Sequence, residues 1–241
     1  HYTVYTIYME GVLIMERPLD TTASALSPRQ LEKNAVIEHL VDLYSNKYLL
    51  RRHERLRNTL FAYLYSGGQH WQSPTIQMKI VRLFFKEEYL FSREAFVQLG
   101  LVTEKERTEL DFQRLLEMTI CTHWGLCTQP SEVATFMALI DSLLQIISCH
   151  LHVSEQFFET HRTSFLHHVK FLAFRILKKE KDYRSSDDEL YFLVKELHPE
   201  AFKITHTLRK FITETYDFDL SNNEVTYLCL HIVRSLNVLQ A

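Results

Sequence analysis

Glycine and proline are scarce in this 241-residue chain, with five of each. So few breakers exclude the turn-dense plan of a β-sandwich or barrel and leave room for long helices. Cysteine is sparse too. Cys121, Cys127, Cys149 and Cys229 fall at irregular spacing, and Cys149 and Cys229 lie inside apolar helical patterns. That excludes a disulfide framework and reads as reduced thiols, the state expected in the cytoplasm. Positive charge is not in excess: 27 Lys and Arg face 30 Asp and Glu, a net charge of −3. A chain that gripped nucleic acid by itself would carry a marked basic surface. No unbroken apolar run approaches the roughly 18–20 residues of a membrane span, so no membrane segment is expected. No basic start leads into an apolar stretch and a small-residue cleavage site, so no signal peptide is read either. The chain opens on His1 rather than Met, which suggests a fragment of something longer.

What is present is the balance of a globular protein with a core, 46% hydrophobic and 24% charged. Residues 1–27 differ from the rest. Thr3 to Met9 and Val12 to Met15 are β-branched and aromatic around Glu10-Gly11, which suggests a short β-hairpin followed by a polar linker. Residues 28–128 read as a helical domain, opening at Pro28 with apolar positions at Val36, Leu40, Leu43 and Tyr44. Further helices are predicted over 54–65, 75–86, 92–99 and 103–120, the last with a Thr103/Glu106 capping box. The Gly- and Pro-containing stretch Thr122 to Pro130 is the best boundary. Beyond it, residues 129–241 read as five helices. Ser154 heads the second, Asp187 the third and Pro199 the fourth, and a full Ser221/Glu224 capping box opens the fifth. The fold class is therefore all-α, in helical bundle domains.

Two histidines stand in unusual company. His168 and Arg175 are seven apart within Phe165 to Arg175, so two helical turns return them to one face. His231 follows Glu224 by seven and precedes Arg234 by three. A neutral imidazole beside a fixed cation suits a phosphoryl acceptor, because the nitrogen attacks and the cation steadies the added charge. Spacing alone fits equally a pair of helix histidines satisfied at the edge of a core. Cys121-Thr122-His123 with Cys127, and Cys149-His150 with His152, lack the paired CxxC spacing of a structural zinc site, so no metal is expected. No GxSxG, HExxH or phosphate-cradling glycine loop occurs, nothing argues for an enzyme, and no cofactor is expected.

Three stretches carry a resemblance: Phe165 to Arg175, Pro199-Glu200-Ala201-Phe202, and Glu224 to Arg234 with its Tyr227-Leu228 and Leu230-His231-Ile232. In that order and spacing, residues from about 131 to 241 resemble the PTS (phosphotransferase system) regulation domain, PRD, of bacterial sugar-operon antiterminators and activators. The resemblance implies a five-helix bundle that forms a homodimer. It also implies phosphorylation on histidine by the phosphocarrier protein HPr or by sugar-specific enzyme II components. Carried over residue by residue, His168 and His231 become the acceptors and Arg175 and Arg234 their supporting cations. His167 is out of register with Arg175. Phosphate would shift dimer packing and so instruct a nucleic-acid-binding domain outside this chain.

The first half departs from the pattern of two tandem PRDs. His39 sits in an apolar helix pattern without an Arg at plus seven. Two readings stay open: a degenerate PRD that has lost its acceptors, or a winged-helix derivative with Tyr89–Phe96 leading into Thr103–Leu116. Glu104, Glu106, Glu109 and Asp111 weigh against DNA contact by the latter. The basic run Arg51-Arg52-His53-Glu54-Arg55 with Arg57 reads as a solvated face. Against the regulatory reading stand a DNA-binding module using residues 28–120 and an inert PRD-like dimerisation scaffold.

Overall fold

A computed structural model describes residues 27–65, 74–103, 107–126, 131–161, 163–180 and 188–239. Among these residues every regular element is helical. The expected hairpin and linker of residues 1–27, the Gly67-Gly68 turn and the Lys181–Ser186 loop lie outside them, apart from Ser27. The first half holds α1 (Pro28–Asp42), α2 (His53–Tyr65), α3 (Met78–Phe84), α4 (Lys86–Leu101) and α5 (Glu109–Trp124). The second holds α6 (Ser131–Leu151), α7 (Glu155–His161), α8 (Thr163–Lys178), α9 (Asp188–Leu197), α10 (Pro199–Tyr216) and α11 (Asn222–Leu239).

Local chemistry sets the helix starts. Pro28 occupies the first turn of α1, where its missing N–H costs nothing. Ser27 and Gln30 form a capping box there. Past Asp42 the helix widens into a π-helical turn, Leu43–Lys47, which places Tyr44 in the core. The predicted helix over 103–120 instead begins at Glu109. Its cap is Thr108 with Asp111, and the Thr103 hydroxyl is occupied with the Leu99 carbonyl and Arg107. Glu106, the other half of the predicted box, is outside the described residues. At the far end of α5, Gly125 takes a left-handed φ of 66° while the Arg52 guanidinium presses close. A side chain there would meet both backbone strain and that guanidinium.

The expected helix from Ser154 to about Lys179 is two helices, α7 and α8. Pro199 opens α10 as read from the sequence. Ser221 and Glu224 cap α11 reciprocally, at 2.7 and 3.3 Å.

Helices of the second half pack in a connected set. α6 lies on α8 and α10, α10 on α11, and α9 on both α10 and α11. The first half pairs similarly: α1 on α2 and α4, α4 on α5, α2 on α5, and α3 on α4. One core, lined by Leu40, Tyr44, Leu60 and Phe91, belongs to the first half. The other runs through the second half and takes in α3 and one face of α5, through Ile80, Phe84, Leu116 and Trp124. The two halves are thereby joined by apolar packing, with Lys79–Asp141 at 3.1 Å on its rim.

One segment, Glu132–Leu151 of α6, is long and apolar enough to cross a membrane by length and composition. Counting only unbroken apolar runs misses it. Its Val133, Phe136, Met137, Ile140, Leu144 and Ile147 are buried in the second core, as befits the central helix of a bundle.

Candidate functional site

The α8 and α11 helices run antiparallel, and their sequence spacing decides what meets what. In α8 the order is His168 then, seven on, Arg175; in α11 it is Glu224 then, seven on, His231. Reversing one helix against the other brings histidine to histidine and arginine to glutamate. That is the geometry found. The His168 and His231 rings lie 4.2 Å apart between centroids, tilted by 47°. About two turns away, or roughly 10 Å along the axis, the Arg175 guanidinium donates to the Glu224 carboxylate. Phe171, Leu172, Tyr227 and Leu228 fill the turn between, and together these eight side chains line an open pocket of 370 Å³.

The polar groups of the pocket are held mainly across the two helices. Glu224 is 6% exposed; one oxygen takes Arg175, and the other accepts the Ser221 backbone N–H that starts α11. His231 is buried, 9% exposed, with the Phe165 ring stacked against it at 5.7 Å. His168 is exposed at the mouth. Partial desolvation, with the charges of His167 and Arg234 pressing the same way, pushes the His168 imidazole below its ordinary range. A depressed histidine is neutral at pH 7 and keeps a lone pair for attack.

That shift carries a pH prediction. For any nucleophilic attack by the His168 imidazole, the rate should be half-maximal at a pH below the ordinary histidine value of 6.5. The same depression means the unfolded chain binds a proton more readily, so His168 costs stability as pH drops through 6.5 and nothing well above it. Rates measured in timed alkaline quenches across that window check the first statement; a midpoint at or above 6.5 contradicts it.

The sequence-predicted residues are thus distributed as follows. His168 and His231 face each other. Arg175 is in the same pocket but engaged by Glu224, and Arg234 is exposed near His168, where its charge is felt. His167 is also exposed, and its charge adds to the lowering of His168. The arginine–glutamate pair is what spacing analysis of each helix alone overlooked. Its signal was the repeated interval of seven in both helices with opposite order. Elsewhere, His123 belongs to no metal cluster among the described residues; its Nδ1 lies 2.6 Å from a Glu88 oxygen. Cys149, placed by its pattern in an apolar helix, is on the exposed face of α6, whereas Cys229 is buried and its thiol pushed up to about 11 by desolvation.

Comparison with known proteins adds the family. Residues 141–235 match the profile described as PRD domain, a span that contains the whole pocket. Over those residues the chain is similar to a PRD. The beta-glucoside operon antiterminator of Dickeya chrysanthemi is 32% identical over 111 residues, 45% of this chain and 38% of that protein. Transcription antiterminator LicT of Bacillus subtilis (strain 168) is 25% identical over 150 residues, 62% of this chain and 53% of LicT. Protein GlcT of Staphylococcus epidermidis is 21% identical over 211 residues, 83% of this chain and 64% of GlcT. The chain therefore spans between 38% and 64% of the length of these relatives.

Proposed function

We propose that this chain is the sensing part of a sugar-operon transcription regulator, switched by histidine phosphorylation in its PRD, and not an enzyme. The observation that carries the reading is the apposition of His168 and His231 in a pocket that also holds Arg175. A bond from an imidazole nitrogen to phosphorus replaces the donor's bond. The donor is HPr or a sugar-specific enzyme II component, and the regulator acts in the cytoplasm as a homodimer. Nucleic acid is engaged through a domain outside these residues.

An added phosphate brings about −1.5 to −2 of charge into the pocket. It repels the Glu224 carboxylate and competes for Arg175, so the ion pair that tethers α8 to the first turn of α11 is the first thing to give. Arg234 offers a second cation close to His168. Loosening one pair while making another changes how α8 and α11 present themselves, which is the kind of local event that biases a dimer interface.

For the first half we propose a degenerate PRD. The pairing α1–α2, α1–α4, α3–α4 and α4–α5 parallels α6–α8, α6–α10, α9–α10 and α10–α11. The Thr108/Asp111 box opening α5 parallels the Ser221/Glu224 box opening α11. Seven on from Asp111 stands buried Met118, where seven on from Glu224 stands His231. The alignment with GlcT, which runs across both halves, agrees with this reading.

The test is phosphotransfer. The chain is incubated with phosphoenolpyruvate, enzyme I and HPr, and then with enzyme II components. Acid-labile phosphate is mapped by intact and peptide mass spectrometry. Label at His168 or His231, lost in His168→Ala or His231→Ala, is expected. A chain that stays unlabelled by every donor would falsify the reading and leave a PRD-shaped dimerisation scaffold.

A further inference from the structure

The two halves meet around a buried charge cluster that the phosphate pocket does not use. Glu88, in the first turn of α4, is 1% exposed. One of its oxygens faces His123 Nδ1 at 2.6 Å and accepts the Trp124 indole N–H at 2.9 Å, both from α5. Its other oxygen has no hydrogen-bond partner among the described residues. Into this cluster α8 sends Lys170, itself 5% exposed. The ammonium donates to the Phe84 carbonyl at 2.5 Å, at the break between α3 and α4. It also lies 5.1 Å from the Phe85 ring centroid and 5.0 Å from that of Trp124.

A buried ammonium is expensive unless paired, and here every means of pairing it comes from the first half. Burial draws the Lys170 pKa down while Glu88 and Glu87 pull it up, and burial likewise opposes Glu88, whose carboxyl is nevertheless held low by His123, Lys170 and Trp124. Each group's charge thus favours the charged form of the other across the seam between the halves. Position on α8 matters as much. Lys170 is two residues from His168, so the two project to nearly opposite sides of one rigid helix. Phe171 gives a second route, because it lines the histidine pocket and touches the Trp124 ring at 5.3 Å.

We propose that α8 is a coupling element: charge placed at His168 is relayed through Lys170 and Phe171 to Trp124, Glu88 and the α3–α4 break, altering the packing of the first half. This rests on the reading of His168 as a phosphate acceptor, but it can be tested without any donor.

Amide hydrogen exchange is measured on the full 241-residue chain with and without His168→Glu, which puts a negative charge at the mouth of the pocket. Exchange at Phe84–Glu88 and in the last turn of α5 should change by about five-fold or more, the lower end of ordinary coupling between sites. In a Glu88→Gln/Lys170→Met background, which leaves only the Phe171 route, the remote response should fall by at least half. If that double variant does not fold, Phe171→Leu serves instead, since it is 55% exposed, and it should cut the remote response at least by half. No change at those amides in the otherwise unaltered chain overturns the inference. So does a full response surviving in the double variant or, where it does not fold, in Phe171→Leu. A failed phosphotransfer with intact exchange coupling removes the acceptor reading alone; successful labelling with no remote response removes the coupling alone.

Discussion

Replacing Phe136 by alanine is expected to lower the unfolding free energy by about 3–5 kcal/mol, the range for truncating a fully buried aromatic. Phe136 is 0% exposed and stands at the centre of the junction. Its ring meets Phe85 at 5.8 Å and Trp124 at 5.6 Å from the first half, and Phe174 at 6.3 Å from α8. Three edge or tilted ring contacts would be lost together, and none of the three partners can close the gap without moving a helix. Because the cavity opens between the halves, the loss should appear as broken cooperativity: a calorimetric trace that separates into two transitions. Phe136→Leu keeps most of the volume and should cost less than half as much. Equal losses for the two would show that the ring contacts contribute little.

Arg175→Met should be the second large effect. It leaves the Glu224 carboxylate, 5% exposed on its side chain, without its cation. Breaking a buried pair from one side costs about 3–5 kcal/mol; Arg175 keeps 28% of its side chain in solvent, so about 2–3 kcal/mol is the fair expectation here. Glu224→Gln should cost less, since an amide oxygen can still accept the Ser221 N–H and the arginine reaches water. The two substitutions also part ways functionally. Arg175→Met should slow phosphorylation, whereas Glu224→Gln, which releases the arginine to the pocket, should leave it unchanged or faster. Urea titrations give the first pair of numbers and initial labelling rates the second. Equal slowing by both would mean that the intact pair, and not the arginine alone, serves the phosphate.

Much of the second half was legible because its signals were local. Pro199 marks a helix start by its own ring, and Ser221 with Glu224 marks another by mutual hydrogen bonds, so neither needs knowledge of neighbours. The boundaries that slipped were set by tertiary partners. Thr103 with Glu106 looks like a cap, yet Thr108 with Asp111 starts α5, because the Thr103 hydroxyl is taken by Leu99 and Arg107. The helix predicted over 92–99 runs over Lys86–Leu101, starting directly after the break at Phe85 and passing through Gly100 at its end.

The candidate site divides in the same way. Each histidine could be placed on its helix face by the interval of seven. Which arginine serves which partner could not, because that depends on α8 and α11 being antiparallel and on their register. The Glu88, His123 and Lys170 cluster was invisible for a stronger reason: its members lie on α4, α5 and α8, and none belongs to a motif. His123 is set aside as a metal ligand for want of paired spacing, and only folding shows that its partner is a carboxylate 35 residues away.

The contact between Trp124 and Phe171 also has an optical side. The chain contains two tryptophans, Trp71 and Trp124. With Trp71→Phe the remaining indole sits one ring away from the histidine pocket, hydrogen-bonded to a carboxylate and covered by an ammonium, and its emission is sensitive to all three. The protein thus carries its own fluorophore at the seam between its halves, and stopped-flow emission could time events in the pocket without any attached dye.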